Sequence, residues 1–341
     1  MSGFIGLAAI LEKQNAPLVI DRIKIPKLET GQVLVRVHVS AICGSQLGEI
    51  SGAAGPDPYL PHLLGHEGGG VVEKIGPGVR QVAEGDRVVM HWRRGPGTEA
   101  NPPVYQWRKG EVGGGRITTF NEYAVVSENR LTPIADDIPF DITALMGCSV
   151  TTGLGIVIKE AQIKPGESVA VFGCGGVGLN VIMGAALVGA FPICAFDIRN
   201  NKLRLAIRAG TDRIYNMINL PAYKLGPYDA VVETSGQPEI MARALQLTAS
   251  GGRLILAGLP RNDQTLELKS LRPHFTGKTV VFSEGGRTDP ARDIPRYLQL
   301  YRKGKLKLDK LITHYCLLKD INDAIELFKT GKAGKIIIKM E

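Results

Sequence analysis

The sequence is poor in cysteine, and its cysteines are badly placed for a disulfide framework. Five occur in 341 residues, at Cys43, Cys148, Cys174, Cys194 and Cys316, an odd number at irregular spacing. That pattern fits a reducing compartment and leaves thiols available for metal, so the expected location is cytoplasmic. Long apolar runs are also missing. The nearest to a membrane span, residues 177–195, is interrupted by glycines, by Asn180 and by Pro192, which argues against a spanning helix there. Residues 1–9 carry neither a basic leader nor a long apolar core, so no signal peptide is expected. The chain shows no internal repeat, low-complexity tract or nucleic-acid-binding module, and neither nucleic acid nor membrane is an expected partner. The formal net charge of +8 reads as a solvated basic surface and only weakly as a sign of anionic ligands.

A chain of 341 residues exceeds one ordinary hydrophobic core and suits two domains. Its 42 glycines, without a collagen-like period, point to many tight turns and close backbone approaches. Up to about residue 150 the pattern is β-rich. Residues 33–39 alternate valines with other side chains, 70–75 form a second strand, and 87–91 follow a Gly85-Asp86 turn. A glycine-rich loop at 112–116 precedes a strand at 121–127. Beyond Cys148 the texture changes. Short apolar strands at 168–172, 192–196, 230–233 and 253–257 alternate with helices at 177–189, 201–209 and 239–247. That alternation predicts a doubly wound parallel sheet with helices on both faces. A strand at 279–282 falls near the sheet edge. Two amphipathic helices, 294–303 and 321–330, and a strand at 335–339 end the chain.

Two constellations carry chemistry. The first is Gly173-Cys174-Gly175-Gly176-Val177-Gly178, a G-x-G-x-x-G run between a predicted strand and a predicted helix. Gly173 makes the tight turn, Gly175 lets backbone approach a pyrophosphate, and Gly178 allows close helix–strand packing. The helix N-terminus adds unpaired N–H groups and a partial positive charge. Asp197 ends the next strand, where a carboxylate accepts hydrogen bonds from ribose hydroxyls and repels a 2′-phosphate, so NAD is favoured over NADP. Arg199 nearby is the feature that would suit a 2′-phosphate instead. The second constellation is Cys43, His66 and Cys148, on three separate loops, with Glu67 beside them. Singly, such residues are more often core thiols or hydrogen-bonded loop histidines. Together they make an open tetrahedral zinc site whose fourth position is left to water or substrate.

With these residues in view, the chain resembles the zinc-dependent medium-chain dehydrogenases, the family of alcohol, sorbitol and threonine dehydrogenases. Gly65-His66-Glu67-x-x-Gly70-x5-Gly76-x2-Val79 matches that family's zinc signature, and the likeness extends through Gly85-Asp86-Arg87-Val88 and Asp309-Lys310-Leu311-Ile312-Thr313. The resemblance implies a GroES-like β-barrel catalytic domain, 1–152 and 286–341, and a Rossmann NAD-binding domain, 153–285. It implies one catalytic zinc on Cys43, His66 and Cys148, with Glu67 as a transient ligand. Ser45 would bind the substrate hydroxyl and take its proton. Thr152 would pack on the nicotinamide, Gly258 and Leu259 would meet its carboxamide, Lys202 would assist Asp197, and Lys335 would reach the pyrophosphate. Homodimers or homotetramers are implied as well.

Three departures from the family stand out. The cysteines of a structural zinc lobe are absent. Gln46 stands where the family usually has an aspartate that orients the zinc histidine, a change able to weaken metal affinity about 10- to 100-fold. Gly48 occupies the place of a relay histidine. In addition, His91-Trp92-Arg93-Arg94 and Gln106-Trp107-Arg108-Lys109 form a basic, aromatic insertion. Trp92 is expected to narrow the substrate pocket. The arginines either receive an anionic or polyhydroxylated substrate or replace the zinc lobe by packing and salt bridges. The leading expectation is an NAD(H)-dependent zinc alcohol dehydrogenase acting on a secondary alcohol, polyol or sugar-type hydroxyl. Its rivals are a zinc-free NADPH enone or quinone reductase and a non-catalytic nucleotide-binding protein.

Overall fold

The valine-rich segment predicted at 33–39 is a strand, Gln32–Ala41, at the heart of a seven-stranded sheet. Glu67–Ile75 pairs antiparallel along one edge of it. Along the other edge, Tyr123–Ser127 pairs with its first half and Lys335–Lys339 with its end, so that Ile337 faces Ala41. Strands Arg87–His91 and Leu131–Pro133 extend the sheet on one side and Ile312–Leu317 on the other. Val33, Val35, Val37, Val72, Val88 and Met90 make one core of this region. A small closed barrel of Ile5–Leu11, Val19–Lys24, Val104–Trp107, Gly110–Gly113 and His62–Leu63 adjoins it in sequence. This computed structural model describes residues 4–218, 225–268 and 270–340. The chain divides into one unit of Met1–Cys148, Asp289–Gln299 and Ile312–Glu341 and a second of Ser149–Thr288 and Leu300–Leu311.

The second unit is the predicted parallel sheet. Its six strands, numbered along the chain, lie in the order third, second, first, fourth, fifth, sixth: Arg213–Asn216, Ile193–Asp197, Val169–Phe172, Tyr228–Glu233, Thr248–Leu256 and Thr279–Phe282. This is the doubly wound arrangement, whose ligands bind beyond the carboxyl ends of the strands. Strand Val169–Phe172 is fully buried because neighbours pair with both its edges and its side chains join the core on each face.

Two expectations change. The boundary expected after 152 falls between Cys148 and Ser149, and residues 300–311 group with the second unit. Helix Ser149–Gly155 is buried throughout, and a Cβ at Gly153 would overlap Asn180 of helix Gly176–Leu187. Thr152 therefore belongs to the parallel-sheet unit. The glycine-rich stretch expected as a loop at 112–116 begins inside a strand, Gly110–Gly113, hairpinned to Val104–Trp107. Tyr105, Trp107 and Val112 alternate inward there and fill the barrel core. Among the described residues, no single helix is long and apolar enough to cross a membrane.

The basic insertion is held by carboxylates of its own unit. Glu99 accepts two hydrogen bonds from Arg130, at 2.8 and 2.9 Å, with Arg94 and Arg116 at 3.6 and 3.3 Å. Asp21 receives Trp107 Nε1 at 2.8 Å together with Arg108, and Lys109 pairs with Glu12 at 2.7 Å. Glu128 accepts three backbone N–H groups, from Arg80, Gln81 and Thr98. These contacts favour packing and salt bridges over substrate binding as the role of the insertion. Burial opposes the Glu99 charge, but hydrogen bonds from Arg130 and Asn129 and the guanidinium charges outweigh it and lower its pKa. A carboxylate lowered in the folded state stabilises fully above its unfolded pKa, and that contribution disappears as pH falls through the folded value. Glu99→Gln should therefore cost about 2 kcal/mol at neutral pH. Its loss of stability as pH falls through and below the ordinary glutamate range should be shallower than that of the unmodified chain. Urea unfolding across that pH range checks both expectations.

Candidate active site

Three loops of the first unit converge on one point. Cys43 caps helix Gly44–Ser51 and follows the strand that pairs with the C-terminal strand. His66 precedes strand Glu67–Ile75. Gly65 before it has φ +91 and packs against Thr119 and Phe120, a place only glycine fills without strain. Cys148 follows helix Phe140–Met146 by way of Gly147, where a Cβ would overlap the Met90 carbonyl and the Glu67 backbone. That close approach sets Cys148 beside the other two. The ligand atoms of Cys43, His66 and Cys148 all lie within 4.8 Å of one another.

The cluster is strongly polarised. A hydrogen bond from Cys148 holds the Cys43 thiol well below the usual thiol range, while the Cys148 thiol, sharing that hydrogen, is pushed well above it. Cys43 is thus the thiolate end of the pair. Gln46, buried beneath the helix start, accepts the Cys43 N–H through Oε1 at 3.0 Å and meets His66 Nδ1 with its Nε2. Burial works against a charge on His66; Cys43, Glu67 and Glu49 favour one and raise its pKa. An imidazolium, however, needs an acceptor at both nitrogens, and the Gln46 NH2 offers none at Nδ1. The hydrogen bonds decide for a neutral ring that donates from Nε2 towards the Cys43 sulfur.

Glu67 is fully buried, and Lys335, 2 % exposed, bonds to Glu67 Oε1 and to the Ile42 carbonyl. Desolvation opposes both charges. Coulomb attraction and the hydrogen bond from Lys335 pull against it at Glu67, whose pKa stays raised; at Lys335 the Glu67 carboxylate prevails and raises the pKa. Lys335 was expected at a cofactor pyrophosphate. The structure instead commits its ammonium to the Glu67 carboxylate, which the pairing of strand Lys335–Lys339 with Gln32–Ala41 brings within reach. Glu67 Oε2 and Ser45 Oγ are buried without a hydrogen-bond partner among the described residues. Trp92 is half-buried; its Nε1 has no partner among them, and Arg93 lies over its ring at 5.3 Å. Two sulfurs and an imidazole nitrogen closed to within bonding reach of one ion, with an orphaned carboxylate oxygen nearby, fit Zn2+ in donor type and number.

In the second unit the glycine loop follows strand Val169–Phe172 and leads into helix Gly176–Leu187. Gly173 has φ +88, and a Cβ on Gly178 would overlap the Gly173 carbonyl. A Cβ on Gly175 would meet nothing within 4 Å. The fold therefore requires the first and third glycines, whereas the second leaves open space before the helix N-terminus, where Gly176 and Val177 open the first turn. Asp197 accepts Cys174 N–H at 2.8 Å and Arg199 N–H at 2.9 Å. Lys202, in the first turn of helix Asn200–Ala209, interacts electrostatically with Cys174. A Cβ on Gly258 would overlap the backbone at Gly236, and Leu259 is 81 % exposed.

Glu233 and Thr234 escaped the sequence reading. Thr234 Oγ1 donates to the carbonyls of Phe172 and Gly173 at 3.0 and 2.9 Å. The Glu233 carboxylate, fully buried, accepts from Ser235 and Gly236, while its backbone carbonyl accepts Ala257 and Gly258 N–H at 2.8 and 3.0 Å. Three loops at the carboxyl ends of neighbouring strands are thus tied together. The one signal in the sequence is a polar Glu233-Thr234-Ser235-Gly236 run closing an apolar strand.

Comparison with known proteins agrees with this geometry. Residues 29–136 match the alcohol dehydrogenase GroES-like domain and residues 176–303 the zinc-binding dehydrogenase domain. The chain is 29% identical to the class-3 alcohol dehydrogenase of Cereibacter sphaeroides, over 97% of this chain and 98% of that one. An alcohol dehydrogenase zinc-binding domain protein from Burkholderia ambifaria superposes with a TM-score of 0.92 at 26% identity, covering 100% of both chains. Benzyl alcohol dehydrogenase from Acinetobacter calcoaceticus does so at 0.89 and 26%, covering 99% of this chain and 100% of that one. The chain belongs to the zinc-binding medium-chain dehydrogenase family, with a GroES-like domain and a Rossmann domain. Within that family it is an oxidoreductase of the alcohol dehydrogenase type.

Removing the Lys335 ammonium should strand a buried carboxylate. Lys335→Met is expected to destabilise the chain by about 3–5 kcal/mol, and Lys335→Arg by much less, as read from urea unfolding at neutral pH.

Proposed function

We propose that the chain catalyses the reversible oxidation of a secondary alcohol, polyol or sugar-type hydroxyl, with NAD as hydride acceptor and one zinc at Cys43, His66 and Cys148. The observation that carries this reading is the closure of those three ligand atoms to within 4.8 Å of one another, in a family of alcohol oxidoreductases. Zinc held there would act as a Lewis acid on the substrate oxygen, lowering its pKa, and the nicotinamide would take the hydride.

The chain's own residues do the rest. The hydrogen bond from Cys148 lowers the pKa of Cys43 and so favours the thiolate that a ligand must supply. Ser45 Oγ, buried and unpartnered at the start of the helix capped by Cys43, receives the substrate hydroxyl proton and passes it outward. Gly48 supplies no relay side chain, so water or a cofactor hydroxyl completes that path. Lys335 opposes the effect of burial on Glu67 and tethers it through one oxygen, leaving Oε2 for transient ligation. The open space at Gly175 and the Asp197 carboxylate support a pyrophosphate and an unphosphorylated ribose. Thr152, Lys202, Gly258 and Leu259 are proposed as further cofactor contacts.

We also propose a cytoplasmic homodimer or a homotetramer. No disulfide links any of the five cysteines. Strand Thr279–Phe282 ends the parallel sheet with Phe282 77 % exposed, an edge that antiparallel pairing with a second copy would cover. Light scattering of the intact chain should give at least twice the monomer mass, and Val280→Pro, which removes an N–H on that edge, should lower it.

Activity is tested by NADH formation over a panel of alcohols, polyols and sugars, with and without a zinc chelator. Turnover should be chelator-sensitive, and Ser45→Ala should lower kcat by about 10²- to 10⁴-fold while zinc content is unchanged. Turnover that survives prolonged chelation would move the assignment to a zinc-free reductase. Loss of NAD preference in favour of NADP would overturn the role given to Asp197.

A further inference from the structure

We propose that Gln46 is a positioning residue that holds the metal-free His66 ring with its hydrogen on Nε2, and so makes the zinc of this site weakly held and exchangeable. This rests on the zinc assignment above and concerns how tightly the ion is kept.

The argument is one of donors and acceptors. Gln46 is 1 % exposed, so its amide has only protein partners to choose from. The Cys43 backbone N–H can only donate, and the Gln46 oxygen receives it at 3.0 Å. The orientation of the amide is fixed by that bond. Its other end, the NH2 group, is what meets His66 Nδ1. Nδ1 must then accept, and in a neutral imidazole the hydrogen resides on Nε2. Nε2 is the nitrogen left to face the two sulfurs of the cluster.

A zinc ligand needs a lone pair at Nε2. To bind the ion, the ring must move its hydrogen to Nδ1, and that N–H then needs an acceptor. Gln46 is the side chain that meets Nδ1, and turning its oxygen towards His66 points the NH2 group at the Cys43 N–H. Two donors then face each other at a buried helix start, and the hydrogen bond that caps helix Gly44–Ser51 is lost. With one end of the amide at each partner, as observed, Gln46 serves the backbone of one ligand or the ring of another in the metal-bound state, and serving both from its single oxygen requires the side chain to shift. A carboxylate has no such conflict, because all its lone pairs accept.

The test compares the unmodified chain with Gln46→Glu. Zinc affinity is measured by competition with a chromophoric chelator on each full-length protein, starting metal-free. The carboxylate variant should bind zinc about 10- to 100-fold more tightly. Independently, nitrogen NMR of the unmodified metal-free protein, labelled at histidine and assigned by comparison with a His66→Gln sample, should show the His66 ring hydrogen on Nε2. A merely structural role for Gln46 would not fix that signature. A ring hydrogen on Nδ1 in the unmodified protein, or equal zinc affinity in both, overturns the proposal while leaving the zinc assignment standing. If neither protein takes up zinc, the assignment falls, and the proposal falls with it.

Discussion

A half-buried thiol held towards its thiolate form, Cys43, and a fully buried carboxylate, Glu67, act on each other electrostatically, and the surrounding fold is organised to tolerate them. An isolated buried charge would neutralise by taking up a proton. Here the Cys148 thiol donates to one anion and the Lys335 ammonium to the other. The arrangement depends on pieces far apart in the chain. The C-terminal strand must pair with Gln32–Ala41 to deliver Lys335, and Gly147 must lie against Glu67 and Met90 to deliver Cys148. The central sheet of the first unit is therefore a scaffold for charge compensation as much as a hydrophobic core.

The sequence made the chemistry legible where function imposes a local pattern. The glycine run, the Gly65-His66-Glu67 turn and the acid ending the second strand of the parallel sheet each couple a backbone constraint to a nearby residue type. What could not be read are the partners set by topology. Lys335 lies 268 residues from Glu67, and nothing local distinguishes an ammonium bound to a carboxylate from one awaiting a phosphate. Arg108 finds Asp21 across 87 residues and Lys109 finds Glu12 across 97, so their segment looked like a free basic patch. The hairpin Val104–Trp107 and Gly110–Gly113 was obscured by its glycines, although Tyr105, Trp107 and Val112 alternate as a strand should. Gln46 was recognised as a departure, but the direction of its hydrogen bonds required the Cys43 N–H to be placed.

The same contacts show how this member manages without a structural zinc lobe. A lobe of that kind closes a loop by four bonds to one ion. Here the segment after His91 is closed by carboxylates. Glu99 gathers three arginines, and Glu128 collects three backbone donors from two other stretches. Partly buried ion pairs of this kind stabilise less than metal bonds, but they need neither a metal nor reduced thiols to persist. The hairpin then anchors the segment by inserting Tyr105 and Trp107 into the barrel.

The two halves of the proposed chemistry differ in how far they are completed before any ligand arrives. In the parallel-sheet unit the loops satisfy one another: Thr234 binds the glycine loop, Glu233 binds the two loops beside it, and Asp197 already accepts two backbone N–H groups. A dinucleotide docking there would order little new backbone, and its binding free energy would go largely into affinity. In the metal cluster the reverse holds. Ser45 Oγ and Glu67 Oε2 lack partners among the described residues, two sulfurs share one hydrogen, and the imidazole presents an N–H where a ligand needs a lone pair. A cation together with an oxygen ligand would satisfy those groups. Ion binding at this candidate site would therefore be coupled to proton release from the cluster, and a substrate oxygen filling the remaining position would help to retain the ion.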